Sequence, residues 1–335
     1  MEELDKQNIQ KEPQDVIDEI NSSKDEDVKN TDNIKPNKKP KLTKKFYILT
    51  GVFGAVFAGI GTLSGVMIGQ EVFAVSTDYS SIDLDNLEDD NEALIKKYQS
   101  TSKDKYVSTF EPYELVNIGL YNVTQHKSIH IITSGDAIAV GVEQKIRGNF
   151  VRDNDEYFSE SISSSSLVKV AWRFYEDSSK VDVYSGTVKS AEVANWNEKS
   201  KEEFTLERFE ETWGRTFERP NIYVISSKTI LNDSLTTDSN GNYVVSLDLH
   251  TTYSVVRYVK QMQETSGLSK PPTFKSVHLD FTLTPDLEVL EKHVKESYEV
   301  MMFGKHQTDA EIVDKYNYDN NWSIPSLSEK ADYEQ

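Results

Sequence analysis

Six histidines, at positions 126, 130, 250, 278, 293 and 306, are the residues of this chain best suited to metal or acid–base chemistry. Their spacing supports neither. No His-Glu-x-x-His occurs, and His126 and His130 straddle the junction between an expected helix and an expected strand. Across such a junction a spacing of four no longer means one helix face. His278 and Asp280 share the face of an expected strand opposite Leu279 and Phe281, which reads as a polar outer face. Asp238-Ser239-Asn240-Gly241-Asn242 imitates the start of a calcium loop but lacks the distal bidentate Glu, so it reads as hairpin turn chemistry. The chain has no cysteine, which excludes thiol catalysis, cysteine-bound zinc and a lipoprotein-type anchor. A Gly-x-Ser-x-Gly elbow, a Walker loop and a dinucleotide fingerprint are absent too. No residue is assigned a catalytic or metal-ligating role, no cofactor is expected, and the chain is read as non-enzymatic.

The 335 residues include 37 basic and 56 acidic side chains, a formal net charge of −19. That balance excludes nucleic acid as a partner, because neutralising phosphates needs basic clusters on the binding surface. The dense basic cluster, Lys35, Lys38, Lys39, Lys41, Lys44 and Lys45, precedes an uncharged run at 46–70, FYILTGVFGAVFAGIGTLSGVMIGQ. A helix over that run rises roughly 37 Å, enough to cross a bilayer core of about 30 Å. Beyond it the first charges, from Glu71 to Glu92, are all acidic. Lysines gather on the cytoplasmic side of a span, so the N-terminus is placed inside and everything after 70 outside, on a bacterial cell membrane. A cleavable signal peptide is the alternative, with Val72-Phe73-Ala74 as a loose cleavage site, though the run exceeds an ordinary h-region. Within the run Gly54, Ala58, Gly61, Gly65 and Gly69 form a small-residue stripe suited to self-association into a homo-oligomer.

The elements that must position any site begin after an acidic, Ser-rich stretch. Residues 1–45 read as a disordered cytoplasmic tail, 46–70 as the transmembrane helix, 71–111 as an acidic stalk, 112–318 as the outer domain and 319–335 as a flexible tail. A short helix fits near Ala93–Gln99. Pro112 starts a helix to His126 whose apolar residues cover most of its circumference, as in an enclosed helix. Period-two alternation predicts strands over 129–146, 156–163, 167–175 and Val181–Val188. A helix is expected over Lys201–Trp213, then strands near Ile222–Ser227 and Tyr243–Leu249 around the turn Asn240-Gly241. A third helix fits Tyr253–Thr265, followed by two long strands, Phe274–Thr284 and Leu287–Val300. The fold class is therefore α+β: a transmembrane helix, then a curved antiparallel sheet with helices on its concave face.

This order, with Ser134-Gly135…Gly141-x-x-Gln144-x-Ile146, Tyr157-Phe158…Ser161-Ile162-Ser163 and Val277-His278-Leu279-Asp280-Phe281-Thr282-Leu283-Thr284-Pro285-Asp286, resembles the LolA-like carriers of bacterial envelopes, including the LppX lipoproteins and the RseB sensor domain, over residues 112–300. The resemblance implies a half-open barrel whose apolar cavity holds acyl chains or an envelope protein. Val116, Leu120, Val256, Val259 and Met262 are the candidate helical lining of such a cavity, with Gly267 and Leu268 in the loop at its mouth. A packed core is the competing reading of the same residues. The alternative function is a bitopic scaffold of a secretion or conjugation apparatus, which the tail and the glycine stripe favour.

Overall fold

The computed structural model describes residues 79–331, apart from 85, 140, 167–168, 214–215, 218–220, 260–261, 263–269, 302–304 and 320–321. The run at 46–70, with Gly54, Ala58, Gly61, Gly65 and Gly69, and the loop residues Gly267 and Leu268 lie outside the described residues. Among those described, no helix is long and apolar enough to cross a membrane.

Helix α1, Asn91–Ser100, starts where the Asp90 carboxylate accepts the Ala93 N–H at 2.9 Å. After the short α2, Tyr106–Thr109, comes α3, Pro112–Gln125. Pro112 sits in its first turn, and Glu111 and Glu114 cap each other's backbone, satisfying donors the helix itself leaves orphaned. Leu115, Val116, Ile118, Leu120 and Val123 are all buried, as the nearly all-round apolar pattern predicts. Gly119 lets α3 approach the sheet closely: a Cβ there would lie 3.0 Å from Leu283, 3.2 Å from Val289 and 3.3 Å from the Leu287 carbonyl.

The strands run β1 Ser128–Ala139, β2 Val142–Asp153, β3 Glu156–Ser164, β4 Lys169–Glu176, β5 Lys180–Ser190, β6 Val193–Trp196 and β7 Glu202–Thr205. Helix α4, Leu206–Trp213, separates them from β8 Ile230–Thr237, β9 Tyr243–Leu249, β10 Thr273–Leu283, β11 Val289–Met301 and β12 Lys305–Asn317. They form one antiparallel sheet in the order β6-β5-β4-β3-β2-β1-β12-β11-β10-β9-β8, with β7 beside β5. The outermost strands β6 and β8 do not pair, so the sheet stays open and is not a closed barrel. The main core joins α3 to the inner faces of both halves, from Phe174 on β4 to Leu247 on β9.

The structure departs from the sequence expectations in several places. The stretch 129–146 is two strands, because β1 ends at Ala139 and β2 runs back antiparallel from Val142. Only the second half of 201–213 is helical; 202–205 pairs with β5. Residues 222–227 form no strand. Their consecutive Tyr223, Val224 and Ile225 are all buried, which produces an apolar run without alternation. The polar β8 is an additional strand, and β12 is a third long strand that lies between β11 and β1. The hairpin at Asn240-Gly241 stands as expected, with Gly241 at φ 86°. The end of the chain, read as a tail from 319, crosses the outer sheet face: Trp322 and Ile324 pack with Val151 and Phe158, and Ala331 is buried.

Candidate functional site

Period-two geometry puts Lys292, Val294, Glu296, Tyr298 and Val300 of β11 on the inner face, where an apolar core should be. Lys292 and Glu296 are nevertheless there, and both are buried. Phe281, Lys292, Asp314, Thr133 and Gly148 are cross-strand partners in turn from β10 to β2. This register sets Lys292 Nζ 2.6 Å from Asp314 Oδ2, with side-chain exposures of 0% and 1%. That contact lacks hydrogen-bond geometry, so charge attraction holds it. The other carboxylate oxygen, Oδ1, accepts the Thr133 hydroxyl at 2.6 Å.

Two inward positions further along β11, the Glu296 carboxylate accepts two phenolic hydroxyls, Tyr223 at 2.6 Å and Tyr258 at 3.2 Å. Burial pushes its carboxyl up to about 7, although both hydrogen bonds and the Lys292 charge pull the other way. Burial, reinforced by Glu296, raises both tyrosines well above the ordinary phenol range. The group therefore exchanges a proton on Glu296 near neutrality while its tyrosines stay neutral donors.

Tyr223 connects this interior to a cleft of about 330 Å³. Asn117, Leu120, Tyr121 and Thr124 of α3 form one wall; Glu88, Asp89, Asn91 and Ile95 form another, and Asn221–Ile225 with Arg257 complete it. Arg257 pairs with Glu88, the Asn117 amide donates to the Ile225 carbonyl at 3.0 Å, and Asp89 accepts the Ser227 N–H at 2.7 Å. The side-chain oxygen of Asn221 is buried with no hydrogen-bond partner. An apolar strip (Leu120, Val224, Ile225) thus faces a polar one.

In the other half of the inner face, β3 turns Ser159, Ser161 and Ser163 toward the core. Nearby Trp172 and Trp213 meet edge to face at 5.4 Å, and Phe209 stacks on Phe217 at 5.4 Å. Ser159 Oγ and both indole N–H groups are buried there without a partner.

Of the five described residues of the expected lining, Val116, Val259 and Met262 sit in the main core. Val256 packs with Leu87 and Val224, and Leu120 is the one that lines the cleft. Lys292, Glu296, Asp314, Thr133, Tyr223 and Tyr258 were not anticipated. The signal for the first two was present: they alternate with Val294, Tyr298 and Val300, so a charge had to fall on the apolar side. On the outer face His278 lies between two carboxylates, Nδ1 2.7 Å from Asp248 and Nε2 3.1 Å from Asp280. Among the described residues no three acids or histidines are grouped to hold a metal.

No family model matches the chain, and no curated protein matches it. Among solved structures it is similar to a DUF1329 family protein from Desulfovibrio piger, at 9% identity over 63% of this chain and 93% of that one, with a TM-score of 0.23. The ywiB protein from Bacillus subtilis matches at 11% identity over 57% and 92%, with a TM-score of 0.18. An S-type phycobiliprotein lyase from Guillardia theta matches at 5% identity over 61% and 95%, with a TM-score of 0.20. At such TM-scores these likenesses carry no argument about what the chain does.

Proposed function

We propose that residues 112–318, together with the segment 88–95 that walls its cleft, form the extracytoplasmic binding domain of a non-enzymatic bacterial envelope protein, anchored by a single span at 46–70 and holding a lipid-like ligand in the manner of a half-open barrel. The supporting observation is the two-sided cleft under α3. Leu120, Val224 and Ile225 offer an apolar strip to a chain, while Asn221, Asn91 and Arg257 offer polar groups to a head. A volume of about 330 Å³ suits one short chain or a head group with the start of its tail. The unpartnered Asn221 oxygen marks where a donor on the ligand would be held.

The test is native mass spectrometry of the full chain released from native membranes, with organic extraction of anything that remains bound. An acyl lipid is expected to accompany the wild-type chain and to be lost in Leu120→Trp, which fills the cleft from its α3 wall. An exposed control, Leu231→Trp, should retain it. A folded wild-type chain with no lipid would end this reading and leave the scaffold as the better one.

A further inference from the structure

The Glu296 carboxylate is only 3% exposed, and each of its oxygens accepts one phenol, Oε2 that of Tyr223 and Oε1 that of Tyr258. Both tyrosines come from segments outside the sheet. The Val224 N–H donates to the Ser254 carbonyl at 2.8 Å, and the two phenol rings meet edge to face at 5.7 Å. The two segments thus make one cover over the carboxylate.

The phenols differ in what lies behind them. Tyr258 backs onto Phe274 at 5.5 Å, which lies 5.1 Å from Tyr298, all within the main core. Tyr223 backs onto the cleft under α3 instead. Among the described residues it is the one that both lines that cleft and hydrogen-bonds to Glu296. The charges around Glu296 compensate it only in part. Lys292 of β11 shares its charge with Asp314 of β12. The cross-strand partners of Glu296, Val277 on β10 and Ala310 on β12, are apolar, and Tyr298 at the next inward position adds only a phenol. On the cleft side of Tyr223, Arg257 is paired with Glu88. An ionised carboxylate so enclosed is short of solvation, and the cleft behind Tyr223 is the side from which water can reach it.

We propose that Tyr223 is a proton-operated gate between the cleft and Glu296: it stays shut on the protonated carboxyl and turns aside to admit water when the carboxyl ionises. The closed cover, where burial raises the carboxyl to about 7, binds the proton more tightly than an open and hydrated one. Acid therefore favours closure and base favours opening. A ligand filling the cleft pins Tyr223 in place and so favours the proton; by reciprocity the proton favours the ligand. The gate itself needs no ligand, while its effect on a lipid rests on the cleft reading above.

The chain has no cysteine, so Asn91→Cys on the exposed rim of the cleft accepts one acrylodan label on the full chain. The label's emission should move to the red as pH rises through about 7, reporting water in the cleft. Glu296→Gln holds the neutral state, and there the emission should stay blue throughout. Tyr223→Phe removes a hydrogen bond that favours the ionised carboxylate, so the midpoint should rise by about one pH unit. Lipid carried by the unlabelled wild-type chain should be held about tenfold or more weakly at pH 8.5 than at pH 6, and Glu296→Gln should hold it equally at both. A red shift in the wild type with no lipid at either pH would support the gate and end the lipid reading. Emission that ignores pH in the wild type, or titrates equally in Glu296→Gln, overturns the gate. If Glu296→Gln does not fold, Tyr223→Phe decides: an unmoved midpoint overturns it.

Discussion

Glu296 keeps a proton because burial charges more for its ionisation than two tyrosine hydroxyls and Lys292 return. An acid whose pKa rises from 4.5 when unfolded to about 7 when folded makes the folded chain the tighter proton binder between those values. Its contribution is fully present below about 4.5 and is lost as pH climbs through about 7. The span corresponds to about 3 kcal/mol. Urea midpoints should therefore fall between pH 5 and 8, and Glu296→Gln should flatten that limb by holding a neutral group at the site. An unchanged slope in the variant would remove Glu296 as its source. The neighbouring pair differs in kind: Lys292 and Asp314, both buried, neutralise each other, so either alone would be an uncompensated buried charge.

At the scale of elements, α3 depends on the absence of a side chain at Gly119. A branched residue there meets Leu283, Val289 and a backbone carbonyl, and that last neighbour cannot swing aside. Gly119→Val is expected to cost about 2 kcal/mol through overpacking, seen as a lower urea midpoint with an unchanged slope. The sequence shows α3 clearly through Pro112 and its apolar girth, and β3, β9 and β10 through alternation. Strand β12 is obscured because its inner positions include Thr308 and Asp314, whose polarity breaks the pattern. Strand β8 is hidden for the opposite reason: as an edge strand it is mostly exposed, so no face needs apolar residues. The cleft is assembled from segments far apart in the chain, and of its walls only Leu120 announced itself by helical spacing. The C-terminal segment that crosses the outer sheet face carries no local signal either, since Arg173 of β4 donates to main-chain carbonyls of Ser326 and Glu329, which every residue type supplies.

Across the whole molecule, the sheet is two meanders, β1 to β6 and β8 to β12, joined by a single seam where β1 pairs with β12. Removing β12 unpairs both neighbours and strips Ala310, Ile312 and Tyr316 from the core. A chain ending at Val300 should show no cooperative thermal transition and should bind a dye for exposed apolar surface. A sharp two-state melt would mean that the halves are independent domains.

The position of that seam in chain order also governs how the protein is made. His130 pairs with Asn317, so a residue synthesised early waits for one synthesised 187 positions later (317 − 130). Until then β1 and β11 each offer a bare edge, and each half remains a partly formed meander open to pairing with another strand or to a chaperone. Commitment to the native state is thus deferred until residues 305–317 have been synthesised.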